Sequence, residues 1–281
     1  LKRLVCVTRN ERCDGCLLYR SCVYPYVFET PPLPGEHLLK NATAAPHPFV
    51  LTLPFPAPEA DGEVELGITL FGRGNAQLAY LVYAFRQAAE EGVRPYGPLK
   101  LEGVFQEEPL GSGEWQRIFV APGQLIPYAP TPIPAAPRPG IARIVLETPL
   151  RLRHEDRYVT AERFEVSDLL RNVIRRISLL SYFHAGEPLA EDFPALTEQS
   201  RRVPVREREL VWRDWTRFSG RQQTKLKMGG LLGWVEGDFR AFPDLWRFLW
   251  LGQYTHAGKG TSMGLGRYRL DLAIDKRGGQ A

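Results

Sequence analysis

The sequence of 281 residues is 44% hydrophobic and 24% charged, with a formal charge of +4 and a pI near 8.9. No stretch approaches the roughly 18 consecutive apolar residues of a membrane span, so the chain reads as soluble and globular, without a membrane partner. Its length suits two domains of on the order of 100 to 150 residues each. The mild positive charge bears on function only where basic residues cluster, because a phosphate backbone responds to the local field.

The chain opens on Leu1-Lys2-Arg3-Leu4-Val5, which reads as the end of a helix whose start is absent, and shows no secretory signal. All four cysteines, Cys6, Cys13, Cys16 and Cys22, fall in the first 22 residues. Such a cluster favours a bound metal over disulfides and implies a reducing, cytoplasmic setting. Structural zinc is the first expectation. An iron–sulfur cluster and a reduced, metal-free knuckle stay open beside it.

Beyond the knuckle, Phe49 to Leu53 reads as a strand between Pro48 and Pro54, and Glu63 to Phe71 alternates with the period of a half-buried strand. Asn75 is positioned to cap a helix with apolar residues at Leu78, Leu81, Val82, Phe85 and Ala89, and Gly92 to end it. Leu99 to Phe105 and Trp115 to Val120 follow as strands. Between Ala121 and Gly140 stand seven prolines, which prefer extended backbone and mark a domain boundary.

After that linker the pattern restarts. Ala142 to Leu152 reads as a strand, Ser167 as the cap of a helix over Leu169 to Phe183, and Arg208 to Phe218 and Leu231 to Arg240 as strands. A short aromatic helix from Pro243 to Gly252 and a last strand from Arg267 to Ile274 complete it. The expected class is α+β, with tandem ferredoxin-like (RRM-like) domains. The first, residues 1–121 with the knuckle at 6–22, lacks its opening strand and most of its first helix; a linker of 122–140 precedes the second, residues 141–281.

Two stretches point to chemistry. Nine basic residues lie between Arg201 and Lys227 against three acids, interleaved with Trp212, Trp215 and Phe218. Cations for phosphates and flat rings for bases are what unpaired RNA requires, and Arg217, Ser219, Arg221, Gln222, Lys225 and Lys227 are the candidate contacts. A solvated strand face with core aromatics is the plainer reading. The run Gly258-Lys259-Gly260-Thr261-Ser262-Met263-Gly264-Leu265-Gly266 holds four glycines, which let amides approach a phosphate, with Lys259, Thr261 and Ser262 beside them. It follows a helix and precedes a strand, the reverse of a Walker or Rossmann loop, and a tight structural turn would explain one or two of its glycines.

His256, two residues before that run, is the first candidate for general acid or base in RNA cleavage, and His37 and His47 are candidates for a second titrating group. His154 and His184 rank lower. The acids form no evident metal cage of the kind two-metal cleavage uses.

Cys13-Asp14-Gly15-Cys16 with Cys22 and Tyr24-Pro25, Phe28-Glu29, Glu147-Thr148-Pro149-Leu150-Arg151-Leu152, Trp212-Arg213-Asp214-Trp215, Arg217 to Gln222, Gly229 to Gly233 and the glycine loop together resemble the CRISPR-associated RAMP-superfamily endoribonucleases that process precursor CRISPR RNA, in the branch with an N-terminal cysteine knuckle. The resemblance implies tandem ferredoxin-like folds and cleavage without a catalytic cofactor, leaving a 2′,3′-cyclic phosphate and a 5′-hydroxyl. It further implies CRISPR RNA as partner, with hand-over to an interference complex. Some members are fused to adaptation proteins, and the tail Asp275 to Gly279 and the missing Met fit a piece of a larger chain. A non-catalytic RNA-binding module and a purely structural assembly protein remain the alternatives.

Overall fold

The computed structural model describes residues 1–31, 45–54, 63–93, 96–120, 123–154, 157–214, 216–219, 224–227 and 229–272. In the N-terminal region α1 (Lys2–Val5) and α2 (Val23–Phe28) precede β1 (Phe49–Thr52) and β2 (Gly67–Leu70), a 3-10 segment (Gly72–Gln77) and α3 (Leu78–Glu91). Three-residue β3 (Phe105–Glu107) and β4 (Trp115–Arg117), then β5 (Phe119–Val120) and β6 (Gln124–Leu125), end this part. These six strands pair as three separate two-stranded ribbons. Among the described residues the expected first ferredoxin-like sheet is therefore not formed.

The physical reason is visible strand by strand. Residues 63–66 are exposed and outside the ladder, so the alternating run contributes only β2. Leu99 to Val104 likewise lies outside any strand. Helix α3 ends at Gly92 as expected, with φ of 121°, but Asn75 sits inside the 3-10 segment and its side chain donates to the Gly72 carbonyl instead of capping α3. A small core of Val27, Phe49 and Leu81 joins α2, β1 and α3.

The C-terminal part is built differently. It contains β7 (Ile141–Leu150), a ribbon of β8 (Arg153–His154) and β9 (Arg157–Tyr158), α4 (Val166–Leu180), a π-helical turn (Ser181–Ala185), α5 (Phe193–Ser200) and β10 (Val205–Arg213). The hairpin arm β11 (Thr216–Ser219) and β12 (Thr224–Lys227), β13 (Gly230–Asp238), α6 (Pro243–Thr255), a 3-10 turn (Thr261–Met263) and β14 (Tyr268–Leu272) follow. The four main strands form an antiparallel sheet in the order β10-β13-β7-β14. With α4 and α6 as crossovers, this is the ferredoxin-like βαββαβ arrangement.

Alternate residues of β7, Ala142, Ile144 and Leu146, face the core, as a period-two strand covered on one face requires. Leu169, Leu170, Val173 and Ile174 of α4 and Leu245, Trp246, Phe248 and Leu249 of α6 cover that face. Ser167 is not the cap expected of it. Glu165 precedes the helix, its amide donating to the Asp168 carboxylate at 3.3 Å, while Ser167 is buried in the first turn.

Candidate RNA-processing site

The glycine loop is held at its base and open at its tip. Gly258, Gly260, Gly264 and Gly266 all have φ between 70° and 84°, a conformation costly for a residue with a Cβ. A Cβ on Gly266 would overlap the Ala257 carbonyl, and one on Gly258 would meet that of Arg151. The Gly258 amide donates to Asn172 Oδ1 at 2.6 Å, the Lys259 amide to the Arg151 carbonyl at 3.0 Å and the Gly266 amide to the Pro149 carbonyl at 3.2 Å. Thr148 Oγ1 donates to the Gly264 carbonyl at 2.8 Å. Most of the glycines are thus spent on tight turns and on docking against β7. Lys259 is exposed, Gly260 and Ser262 are half-buried, and the buried Thr261 begins the 3-10 turn.

His256, at the end of α6, is sealed in, with 2% of its surface exposed and φ of 56°. Burial, reinforced by Arg176 and Arg267, pushes its pKa down to about 3, and its Nδ1 has no hydrogen-bond partner among the described residues. The expected His256 is thus a neutral ring that lies beneath the loop and away from its exposed face.

A different imidazole stands where the N-terminal region meets the C-terminal sheet. His47, half-buried on the turn before β1, donates from Nδ1 to the Val27 carbonyl at 3.1 Å, and burial lowers its pKa. The neutral ring then carries its lone pair on Nε2. Its turn is fixed from across the seam, because His184 Nε2 donates to the Pro46 carbonyl at 2.7 Å. With that nitrogen protonated, His184 Nδ1 accepts from the Tyr26 hydroxyl at 3.2 Å. His184 lies in the π-helical turn, also gripped by Arg73, whose Nη2 donates to the Phe183 carbonyl at 2.8 Å.

The electrostatics of the seam are one-sided. Burial is the main cause of the lowered pKa at His47, His184 and His256; the charges that add to it come from Arg176 on all three, Arg73 and His47 on His184 and Arg267 on His256. No carboxylate is among them. Arg176 anchors its Nε on the Thr255 carbonyl at 2.7 Å, and its buried Nη2 has no partner among the described residues. Burial lowers its pKa to about 10, leaving it charged at neutral pH. A cationic seam with neutral imidazoles suits a phosphodiester.

Of the remaining expected residues, His37, Arg221 and Gln222 lie outside the described residues, and Arg217, Ser219, Lys225 and Lys227 are described in backbone only. Their strands pair in register, Arg217 with Leu226, Ser219 with Thr224, Lys225 with Phe218 and Lys227 with Thr216. Part of the basic stretch serves the fold. Arg201 and Arg202 pair with Glu198, Arg206 with Glu236, and Arg208 donates to the Phe164 carbonyl at 2.6 Å. The sequence reading passed over Tyr26, Arg73 and Arg176 and ranked His184 low, and no spacing along the chain would have joined them.

The four cysteines line one small hollow with free thiols, but they do not converge on an ion position. The Thr8 hydroxyl lies 3.5 Å from both Cys6 Sγ and Cys16 Sγ, and Cys13 is buried with its thiol pKa raised chiefly by that burial. Among the described residues no group of three or more His, Cys, Asp or Glu side chains could hold a metal. The expectation of structural zinc or an iron–sulfur cluster thus finds no support among the described residues.

Residues 144–268 match the family described as CRISPR-associated endoribonuclease Cas6. This C-terminal part belongs to the Cas6 family. Residues 1–131 match a family described as an N-terminal domain. A solved Cas6 product complex is similar at 20% identity and a TM-score of 0.50, over 80% of this chain and 83% of that one. A second, of a Thermus thermophilus Cas6, is similar at 16% identity and a TM-score of 0.51, over 80% and 82%. At such identities the likeness is one of fold. A partial Cas6-RT-Cas1–Cas2 complex is similar over 49% of this chain and 23% of that one, with 19% identity and a TM-score of 0.36, too low to bear on partners. No curated protein matches the chain significantly. Among the described residues no helix is long and apolar enough to cross a membrane.

Proposed function

We propose that the chain cuts precursor CRISPR RNA within its repeats by metal-independent transesterification, with the scissile phosphate at the seam between the His47 turn and the glycine loop. The observation that carries this reading is the arrangement of His47. Its Nδ1 proton is engaged by the Val27 carbonyl, its turn is locked by the Tyr26–His184–Pro46 chain, and the charges around it are cationic.

In this mechanism His47 Nε2 takes the proton of the ribose 2′-hydroxyl. The 2′-oxygen attacks phosphorus, the bond to the 5′-oxygen breaks, and that oxygen leaves with a proton from solvent. The products are a 2′,3′-cyclic phosphate and a 5′-hydroxyl. Lys259 opposes the charge that develops on the phosphate, Arg176 adds positive potential from within, and His256 acts from behind by filling the base of the loop. His37 keeps its candidacy as a second group. The hairpin arm around Arg217, Ser219, Arg221, Gln222, Lys225 and Lys227, with the loop residues Gly258, Gly260, Thr261 and Ser262, is assigned to holding the RNA. We further assign residues 1–121 and 141–281 as the two domains, 122–140 as the linker, and an interference complex as the receiver of the guide.

Repeat RNA incubated with the protein in EDTA tests this. Cleavage at one phosphodiester is expected, abolished by a 2′-deoxy substitution on its 5′ side. Cutting that persists on the deoxy substrate rejects the 2′-oxygen as nucleophile, and RNA that is retarded but uncut makes the chain a binding module.

A further inference from the structure

Beside the loop tip the structure assembles aromatic and cationic groups that the mechanism above does not use. The β8–β9 ribbon places Arg153 opposite Tyr158, and Tyr158 is 38% exposed. The Arg151 and Arg153 guanidinium carbons lie 4.7 and 5.2 Å from the centre of the Tyr158 ring, and Arg151 Nη2 donates to the Tyr158 hydroxyl at 2.8 Å. The Trp212 ring, at the end of β10 where the hairpin arm begins, is centred 6.1 Å from that of Tyr158 and tilted by 50°. Trp212 Nε1 donates to Asp214 at 2.9 Å, which fixes the indole.

The group is tied to the reaction centre and to the rigid core. The Arg151 carbonyl accepts the Lys259 amide at 3.0 Å, so this surface and the exposed lysine of the glycine loop move as one piece. The ribbon is pinned to the first turn of α4 by His154, whose Nδ1 lies 3.1 Å from Asp168 and 3.3 Å from Arg171 Nη2. The Val159 amide closes it on the Leu152 carbonyl at 3.1 Å.

We propose that Tyr158 and Trp212, flanked by Arg151 and Arg153, form a stacking platform for an unpaired nucleotide of the RNA next to the glycine loop. The proposal deepens the RNA-processing reading and rests on it for the identity of the polymer. A guanidinium lying on an exposed ring is a weak, exchangeable partner. An incoming base offers the exposed ring a broader π face, and the guanidinium groups beside it set positive charge where the phosphates of the nucleotide would run. Paired bases hide their faces inside the duplex, so the platform selects an unpaired nucleotide.

The test is binding, by fluorescence anisotropy, of an oligouridylate of about eight nucleotides, enough to cover one such surface without forming a hairpin. Tyr158→Leu should weaken binding about ten-fold, while Tyr158→Phe, which keeps the ring, stays within about two-fold of the parent. Arg153→Gln, at an exposed position that leaves the ring in place, should lower affinity several-fold and flatten its salt dependence. The platform is overturned if Tyr158→Leu binds like the parent, if Tyr158→Phe falls as far as Tyr158→Leu, or if the parent does not bind the probe. Parent protein that binds the oligouridylate but leaves repeat RNA uncut removes the nuclease reading and leaves the platform standing. Parent protein that cuts repeat RNA while Tyr158→Leu keeps full affinity does the reverse.

Discussion

The glycine loop and the turn that carries His47 face each other across the seam and are built for opposite tasks. The loop uses its conformational freedom to lie flat against β7, with backbone donors spent on Arg151 and Pro149 and the His256 ring buried beneath it. The His47 turn is held by His184, which Tyr26 braces in turn, and its imidazole remains half-buried. A residue next to a glycine-rich loop in sequence can therefore be its structural floor, while a more accessible imidazole arrives from a distant segment.

The sharpest way to break that contrast is to remove each imidazole in turn. His47→Ala should lower the single-turnover cleavage rate by about 10²- to 10⁴-fold with RNA affinity retained, the range for a general base. His256→Ala should instead lower the melting temperature, through the cavity it leaves. Cleavage by His47→Ala at the parent rate, or a comparable rate loss for a stably folded His256→Ala, would reverse the two assignments.

A second prediction concerns the loop's rigidity. Gly266 has φ of 70° and no room for a Cβ, so Gly266→Ala should cost about 3 kcal/mol or more in urea-unfolding stability. Gly264 has a similar φ, but its added Cβ would lie 3.4 Å from the Leu51 carbonyl, an ordinary contact. Gly264→Ala should accordingly cost only about 1 kcal/mol. Equal costs would mean that the loop base yields more easily than its hydrogen bonds imply.

The same contrast explains what the sequence could tell. The βαββαβ order after the proline run was legible because β7, α4 and α6 are long enough to show their periods and each buries one face on a shared sheet. In the N-terminal region β1 and α3 with its stop at Gly92 were legible but a joined sheet was wrongly expected, because strands of two to four residues carry too few alternations, and a run such as Glu63 to Phe71 can alternate while only its last part pairs. Lys259 was legible as an exposed cation because the loop type dictates it. The partnership of His47 with His184 was not, since it spans well over a hundred residues and depends on a π-helical turn without a compositional mark. Arg153 and Tyr158 escaped notice because a ribbon of two-residue strands has no period to read.

The last of the expected effects sharpens the burial side of the comparison through pH. His256 has a folded pKa of about 3 against an ordinary 6.5, so between those values the unfolded chain binds a proton that the folded chain refuses. Its neutral form supports the fold fully above pH 6.5, and that contribution is lost progressively as pH falls toward 3. Between pH 6.5 and 5 the loss should amount to about 2 kcal/mol. His47 and His184, whose pKa values are also lowered by burial, add to it with the same sign. His256→Asn, which tolerates a positive φ and does not titrate in this range, should be less stable than the parent at pH 7 and lose less on acidification. The measurement is the urea midpoint at pH 7 and pH 5 for both chains. Parallel acid sensitivity in the two would show that His256 takes up its proton without opening the fold, and that the floor of the loop is wetter than its packing indicates.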